Sequence, residues 1–215
     1  MLAKAPTREQ LPAETRERIL DVAERLFAQR GLEAVSIRDI TRAARVNLGA
    51  INYHFGAKQK LIVAVFERRL TPLDQERLRA LDVVEEAVGE GPPRLEDVLE
   101  AFIRPVVRQS LDPKLGGAVF GKLMGRCLME PNPELEALMR RHMEPLVQRF
   151  GAALMRAVPD LTREELFWRM HLTIGALHHS LLMLDKELPN RPKPPLDAEG
   201  YLRRLVAFTA AGFRA

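Results

Sequence analysis

The sequence predicts an all-α protein of about nine helices, on three observations. Apolar residues recur at helical spacing through nearly all of the 215 positions. No sustained apolar–polar alternation bounded by turn residues marks a strand. Capping residues and Gly or Pro stops then divide the chain into helix-sized pieces.

Residues 1–12 read as a flexible arm, and a first helix follows over about residues 13–30. Ile19, Val22, Ala23, Leu26 and Phe27 line one of its faces, and Gly31 ends it. Ser36, with Asp39 three residues on, opens a short second helix that carries Ile37, Ile40, Thr41 and Ala44 on one side. The third helix, residues 47–53 with Asn47 as its cap, is too short and too poor in helix formers to stand alone. Val46, Ile51 and Phe55 are its anchors, which leaves Leu48, Gly49, Asn52 and Tyr53 pointing another way.

A long fourth helix runs from about residue 57 to residue 87 through Leu61, Val65 and Phe66, with a bend expected at Pro72. The run GEGPP, residues 89–93, is the clearest break. Helices follow over about residues 94–110, bent at Pro105, residues 114–129, and residues 133–158, started by Asn132-Pro133 and bent at Pro145. Thr162 and Glu165 form a capping-box pattern for an eighth helix to about residue 186. A proline-rich loop, residues 189–195, precedes a last helix from Asp197 to about residue 213.

Composition narrows the class. Residues 1–60 hold 11 Lys/Arg against 7 Asp/Glu, so the whole net charge of +4 lies there. Between Val35 and Lys60 five basic residues face Asp39 alone. A basic head on a neutral body suits nucleic acid, although an ordinary solvated basic face has the same composition. The longest uncharged stretch, residues 170–184, is too short and too polar to span a membrane, and the N-terminus lacks a secretory pattern. A lone Cys127 forms no internal disulfide, which makes the cytoplasm the expected compartment.

Helices two and three, joined by a tight turn at Ala44-Arg45-Val46, have the size of a helix-turn-helix, or of a plain three-helix subdomain. A recognition helix needs a slim outward face, which Gly49 and Ala50 suit. The stretch RILDVAERLFAQRGLEAVSIRDITRAARVNLGAINYHFGAKQKL carries Phe27 with Gly31, the SIRDI of helix two, Tyr53-His54-Phe55, and Lys58 before Leu61. It resembles the DNA-binding domain of the TetR family of transcriptional regulators, over about residues 14–61.

The resemblance implies a DNA-binding domain over residues 13–56 and a larger effector-binding and dimerisation domain over residues 57–215. By it, Tyr53 and His54 lie on the DNA backbone, and Lys58 with the first amides of helix four meets a phosphate, as helix N-termini do. Ser36 is a second phosphate contact by the same logic. Asn47, Leu48, Gly49, Ala50 and Asn52 are the candidates for base edges, with Asn52 suited to adenine and Ala50 or Leu48 to thymine methyls. The family usually has glycine where this chain has Arg45. A left-handed arginine costs on the order of 1 to 2 kcal/mol, offset if it contacts a phosphate.

In the second domain Gly117, Gly121 and Gly125 bare a strip of helix for a neighbouring helix or a ligand. Phe102, Phe120, Met124, Cys127, Trp168, His171 and His178 are the candidate lining of a pocket for a small apolar or amphipathic effector, with plain core as the alternative for each. Gly175, Ala176, Leu202, Leu205, Val206 and Phe208, on the last two helices, are the candidate homodimer interface; the alternative is burial within one subunit. No short-spaced ligand cluster suggests a metal or cofactor, and no catalytic motif is present. The expectation is therefore a ligand-responsive repressor on a palindromic operator, not an enzyme. The alternative is a helical enzyme or ligand carrier with a vestigial DNA-binding domain.

Overall fold

The computed structural model describes residues 10–183 and 197–215. Among them there are nine α-helices and no strand. They are α1 (Gln10–Arg30), α2 (Ile37–Ala44), α3 (Leu48–His54), α4 (Lys58–Val88), α5 (Leu95–Leu111), α6 (Gly117–Met129), α7 (Pro133–Ala157), α8 (Arg163–Leu182) and α9 (Ala198–Arg214). The expected loop at residues 189–195 and the expected end of helix eight near residue 186 lie outside the described residues.

Most helix starts follow from local capping. Ser36 accepts from the Asp39 amide while Asp39 bonds back to the Ser36 amide, a complete capping box. Asn47, Asn132 and Asp197 cap α3, α7 and α9 through side-chain oxygens. Thr162 caps α8 by accepting from the Glu165 amide, but the Glu165 carboxylate pairs with Arg169 one turn on. Two starts differ from expectation. α1 takes in residues 10–12 of the expected arm, because Pro12 sits in its first turn where an amide donor is not needed. α6 begins at Gly117, since Asp112 and the residues after it form a short 3-10 turn over Pro113–Leu115.

The N-terminal helices close around Phe27, Ile40, Ala44 and Ile51, all buried. Arg18 Nε donates to the Ala44 carbonyl at 3.1 Å, which satisfies the C-terminus of α2. The body is organised on α5, which packs against α4, α6, α7, α8 and α9. α4, α5 and α7 run on through Pro72, Pro105 and Pro145 as single helices. Of the glycine strip, Gly125 alone marks a close approach. A Cβ there would lie 3.0 Å from Leu182 Cδ2, whereas Gly121 faces open space.

Ion pairs and hydrogen bonds from α4 and α6 tie the head to the body. Glu24, buried on α1, takes Arg68 and Arg69 of α4, with Arg69 Nε at 2.9 Å from Oε1. At the C-terminus of α6, Glu130 Oε2 accepts from the Leu32 amide at 2.7 Å. A side chain at Gly31, which has a φ of +97°, would meet Glu130 Oε1 at 2.8 Å.

Candidate nucleic-acid interface and ligand cavity

α3 is held and displayed as its residue types require. Ile51 and Phe55 are buried, and Val46 and Ala50 are half-buried against the same core. Leu48, Gly49, Asn52 and Tyr53 face solvent, with Tyr53 79% exposed. Large apolar side chains left out on so short a helix are not there for its stability. Ala50 belongs with the anchors rather than the outward set, because its half-buried side turns to the core. Asn47 Oδ1 accepts from the Ala50 amide at 2.9 Å, which leaves its NH2 group to donate to an outside partner.

Arg45 is the single non-glycine residue with positive φ among the described residues, at φ 54° and ψ 47°. It occupies the left-handed cap of α2, and its side chain is exposed. Ser36 departs from the phosphate-contact expectation. Its hydroxyl donates to Asp39 Oδ2 at 2.6 Å, and that carboxylate already neutralises the N-terminus of α2. The Ser36 hydrogen bonds hold Asp39 below its ordinary pKa.

α4 offers an open N-terminus, for Ala57 supplies no side-chain cap. Lys58, in its first turn, has Nζ donating to the Glu33 carbonyl at 3.1 Å, with Glu33 Oε2 at 3.6 Å. It pins the turn between α1 and α2 as well as adding charge. His54 lies beside Tyr53, their ring centroids 4.9 Å apart, edge to face.

The body contains a cavity of about 600 Å³ between α4, α5, α6, α7 and α8. Phe120, Met124, Cys127 and His178 line it as expected, joined by Met139, Met143 and Ile174. Phe102 does not; it lies behind Arg77, whose guanidinium stands 4.1 Å over its ring. Trp168 and His171 do not line it either. They stand with Phe167 on the exposed side of α8, Trp168 at 52% exposure.

Sequence reasoning missed the polar floor of this cavity: Asp74, Arg77 and His142. Asp74 Oδ2 lies 2.6 Å from His142 Nδ1, and Asp74 Oδ1 lies 3.6 Å from Arg77 Nη1. Burial raises the Asp74 pKa against the pull of those partners and lowers Arg77 to about 10. The signal was an acid and a base within the core spacing Leu70, Leu73, Asp74, Arg77, Leu81 of α4. Burial also pushes the Cys127 thiol up to about 11, which disfavours the nucleophilic thiolate. Among the described residues, no group of three metal-ligating side chains is present.

The expected dimer residues divide. Gly175 is exposed and Ala176 half-buried on α8, and Phe208 is 69% exposed on α9. Leu202, Leu205 and Val206 are buried within the subunit, because α9 turns that face onto α5. Phe167, Trp168 and Leu172 join Phe208 as large apolar side chains left uncovered. No helix among the described residues is long and apolar enough to cross a membrane.

Residues 19–65 match the family described as bacterial regulatory proteins, tetR family. Residues 100–212 match the one described as tetracyclin repressor-like, C-terminal domain. The HTH-type transcriptional regulator AcrR of Shigella flexneri is 38% identical over 111 residues, 51% of this chain and 49% of that protein. An HTH-type transcriptional repressor of Mycobacterium tuberculosis is 42% identical over 73 residues, 33% of this chain and 38% of that protein. The chain thus spans about half or less of the length of these relatives. In fold it is similar to PfmR of Thermus thermophilus, a TetR family transcriptional regulator. The TM-score is 0.60 at 22% identity, covering 93% of this chain and 96% of that one.

Proposed function

Since the chain belongs to the TetR family of bacterial transcriptional regulators, we propose that it is a repressor that binds a near-palindromic operator as a homodimer and leaves it when a small molecule fills the body. The observation that carries this is α3: seven residues fixed by Ile51 and Phe55 and presenting Leu48, Gly49, Asn52 and Tyr53 outward. Asn52 suits adenine and Leu48 a thymine methyl, while Arg45, Tyr53, His54 and the open N-terminus of α4 meet phosphates.

One α3 reads too few base pairs for an operator, so two copies related by a two-fold axis read half-sites about a helical turn or more apart. Phe167, Trp168, Leu172 and Phe208 make the joining surface, which is apolar enough to call for a cover. The 600 Å³ cavity is of a size for a small effector. Its walls include α4, which enters the head, and Glu130, which holds Leu32. A ligand that fits only one arrangement of these walls shifts the spacing of the two heads.

Selection of bound sequences from a random DNA pool tests the reading. An enriched inverted repeat is the expected result. Salt-sensitive binding with no preferred sequence would favour a helical carrier or enzyme with a vestigial head.

A further inference from the structure

We propose that the cavity takes an organic anion, an apolar skeleton ending in a carboxylate, with the carboxylate against the Arg77 guanidinium. This rests on the cavity being the effector site. Arg77 is 5% exposed and borders the cavity. Its Nε donates to the Phe102 carbonyl at 3.0 Å, and its face lies on the Phe102 ring. Those contacts fix the plane of the guanidinium and leave both terminal nitrogens over.

Neither terminal nitrogen makes a hydrogen bond to a described residue. The nearest carboxylate oxygen, Asp74 Oδ1, is 3.6 Å from Nη1, beyond hydrogen-bond reach, and Asp74 is committed through Oδ2 to His142. Nor are these nitrogens sealed in protein. Among the described residues, the sealed side-chain nitrogen without a partner is Arg68 Nε. Arg77 therefore brings two terminal nitrogens without hydrogen bonds to described residues to the lining of the cavity, still cationic at neutral pH with its pKa near 10. A buried guanidinium in that state is under-satisfied by several N–H groups, and a carboxylate matches its fork with two parallel bonds.

The other charges on the lining do not compete for that anion. Glu130 accepts from Leu32 and pairs with Arg126, and Glu136 and Arg140 are exposed, offsetting each other at the rim. His178 donates Nδ1–H to the Ile174 carbonyl, and burial lowers its pKa, so it is neutral. Met124, Met139 and Met143 give the rest of the ligand a soft apolar wall that adapts to its shape.

The test is calorimetric titration of the full chain with three probes of one skeleton: 4-phenylbutanoate, 4-phenylbutan-1-ol and 4-phenylbutylamine. The carboxylate should bind about tenfold or more tightly than the alcohol, with the amine weakest. Arg77→Gln should remove that preference and leave the alcohol within about twofold. Should Arg77→Gln fail to fold, Asp74→Asn supplies the second reading, because removal of the neighbouring negative charge should tighten the carboxylate and not the alcohol. Equal or better binding of the alcohol or amine, no binding of the carboxylate, or a preference untouched by both substitutions would overturn the proposal. Met124→Trp, which fills the cavity, should abolish all three. If the carboxylate binds through Arg77 and operator affinity does not change at saturation, the head-group assignment stands and the induction reading falls.

Discussion

The backbone amide of Leu32 donates to Glu130 Oε2 across 2.7 Å, so one carboxylate on the wall of the cavity holds the chain at the exit of α1. Leu32 is 1% exposed, and among the described residues no other acceptor is bonded to that amide. Glu130→Ala leaves the amide unpaired and should cost about 1 to 3 kcal/mol of stability by urea unfolding. Glu130→Gln keeps an acceptor and should cost less. Were Glu130 the link between ligand and operator, Glu130→Ala would keep its affinity for both and lose their coupling, read by fluorescence anisotropy of an operator duplex with and without ligand. Unchanged coupling would leave the α4 contacts Arg68 and Arg69 with Glu24 as the route.

Arg45 holds a left-handed cap that glycine would occupy without strain. Arg45→Gly should therefore raise stability by on the order of 1 kcal/mol in thermal unfolding. If the side chain also meets a phosphate, the same substitution should weaken operator binding and flatten its salt dependence by about one counterion. Higher stability with an unaltered salt slope would assign Arg45 to strain alone.

These two residues mark what the sequence made legible. The left-handed turn at Arg45 is a local property, set between a helix ending at Ala44 and another capped by Asn47, and the resemblance pointed to it through the glycine that the family usually has there. The Glu130–Leu32 bond spans 98 positions, and nothing at either end announces the other. The same division runs through the cavity. His171 and His178 share a helix face but stand two turns apart, roughly 10 Å along the axis; His178 lines the cavity and His171 is exposed. α9 is amphipathic, with Phe208 one turn after Arg204 on its exposed face, so its spacing separates Phe208 from Leu202, Leu205 and Val206 but does not say whether the buried face turns to α5 or to a second subunit. Ser36 and Lys58 were legible as residues near the helix N-termini but not as groups already bonded, to Asp39 and to Glu33.

Phe208 on α9 is 69% exposed, and Leu172 on α8 is 66% exposed. A second copy covering this surface buries both, so Phe208→Glu would set two charges against an apolar seam. Sedimentation equilibrium should then find a monomer, and operator affinity should fall by at least about a hundredfold through loss of the second head. The fold should survive, since Phe208 packs on little within its own subunit. A dimer unchanged by Phe208→Glu and by Trp168→Glu would move the interface off these two helices.

Stability should also report the half-buried imidazole of His178. Burial lowers its pKa from the unperturbed 6.5, the Ile174 carbonyl opposing and Arg77 adding to the shift. Between that lowered value and 6.5 the unfolded chain holds a proton that the folded chain does not, so stability rises with pH across the window and levels off above it. Asp74 slopes the other way. Its raised pKa means that the folded chain holds the extra proton above 3.8, and stability from it is lost as pH rises through the folded value. His178→Gln separates the two, because it removes the first slope and leaves the second. The difference in unfolding free energy between wild type and His178→Gln should therefore grow toward wild type as pH rises to about 6.5 and stay constant beyond. A difference that is flat across roughly pH 5 to 7.5 would mean that His178 takes its proton in the folded protein as readily as in the unfolded chain.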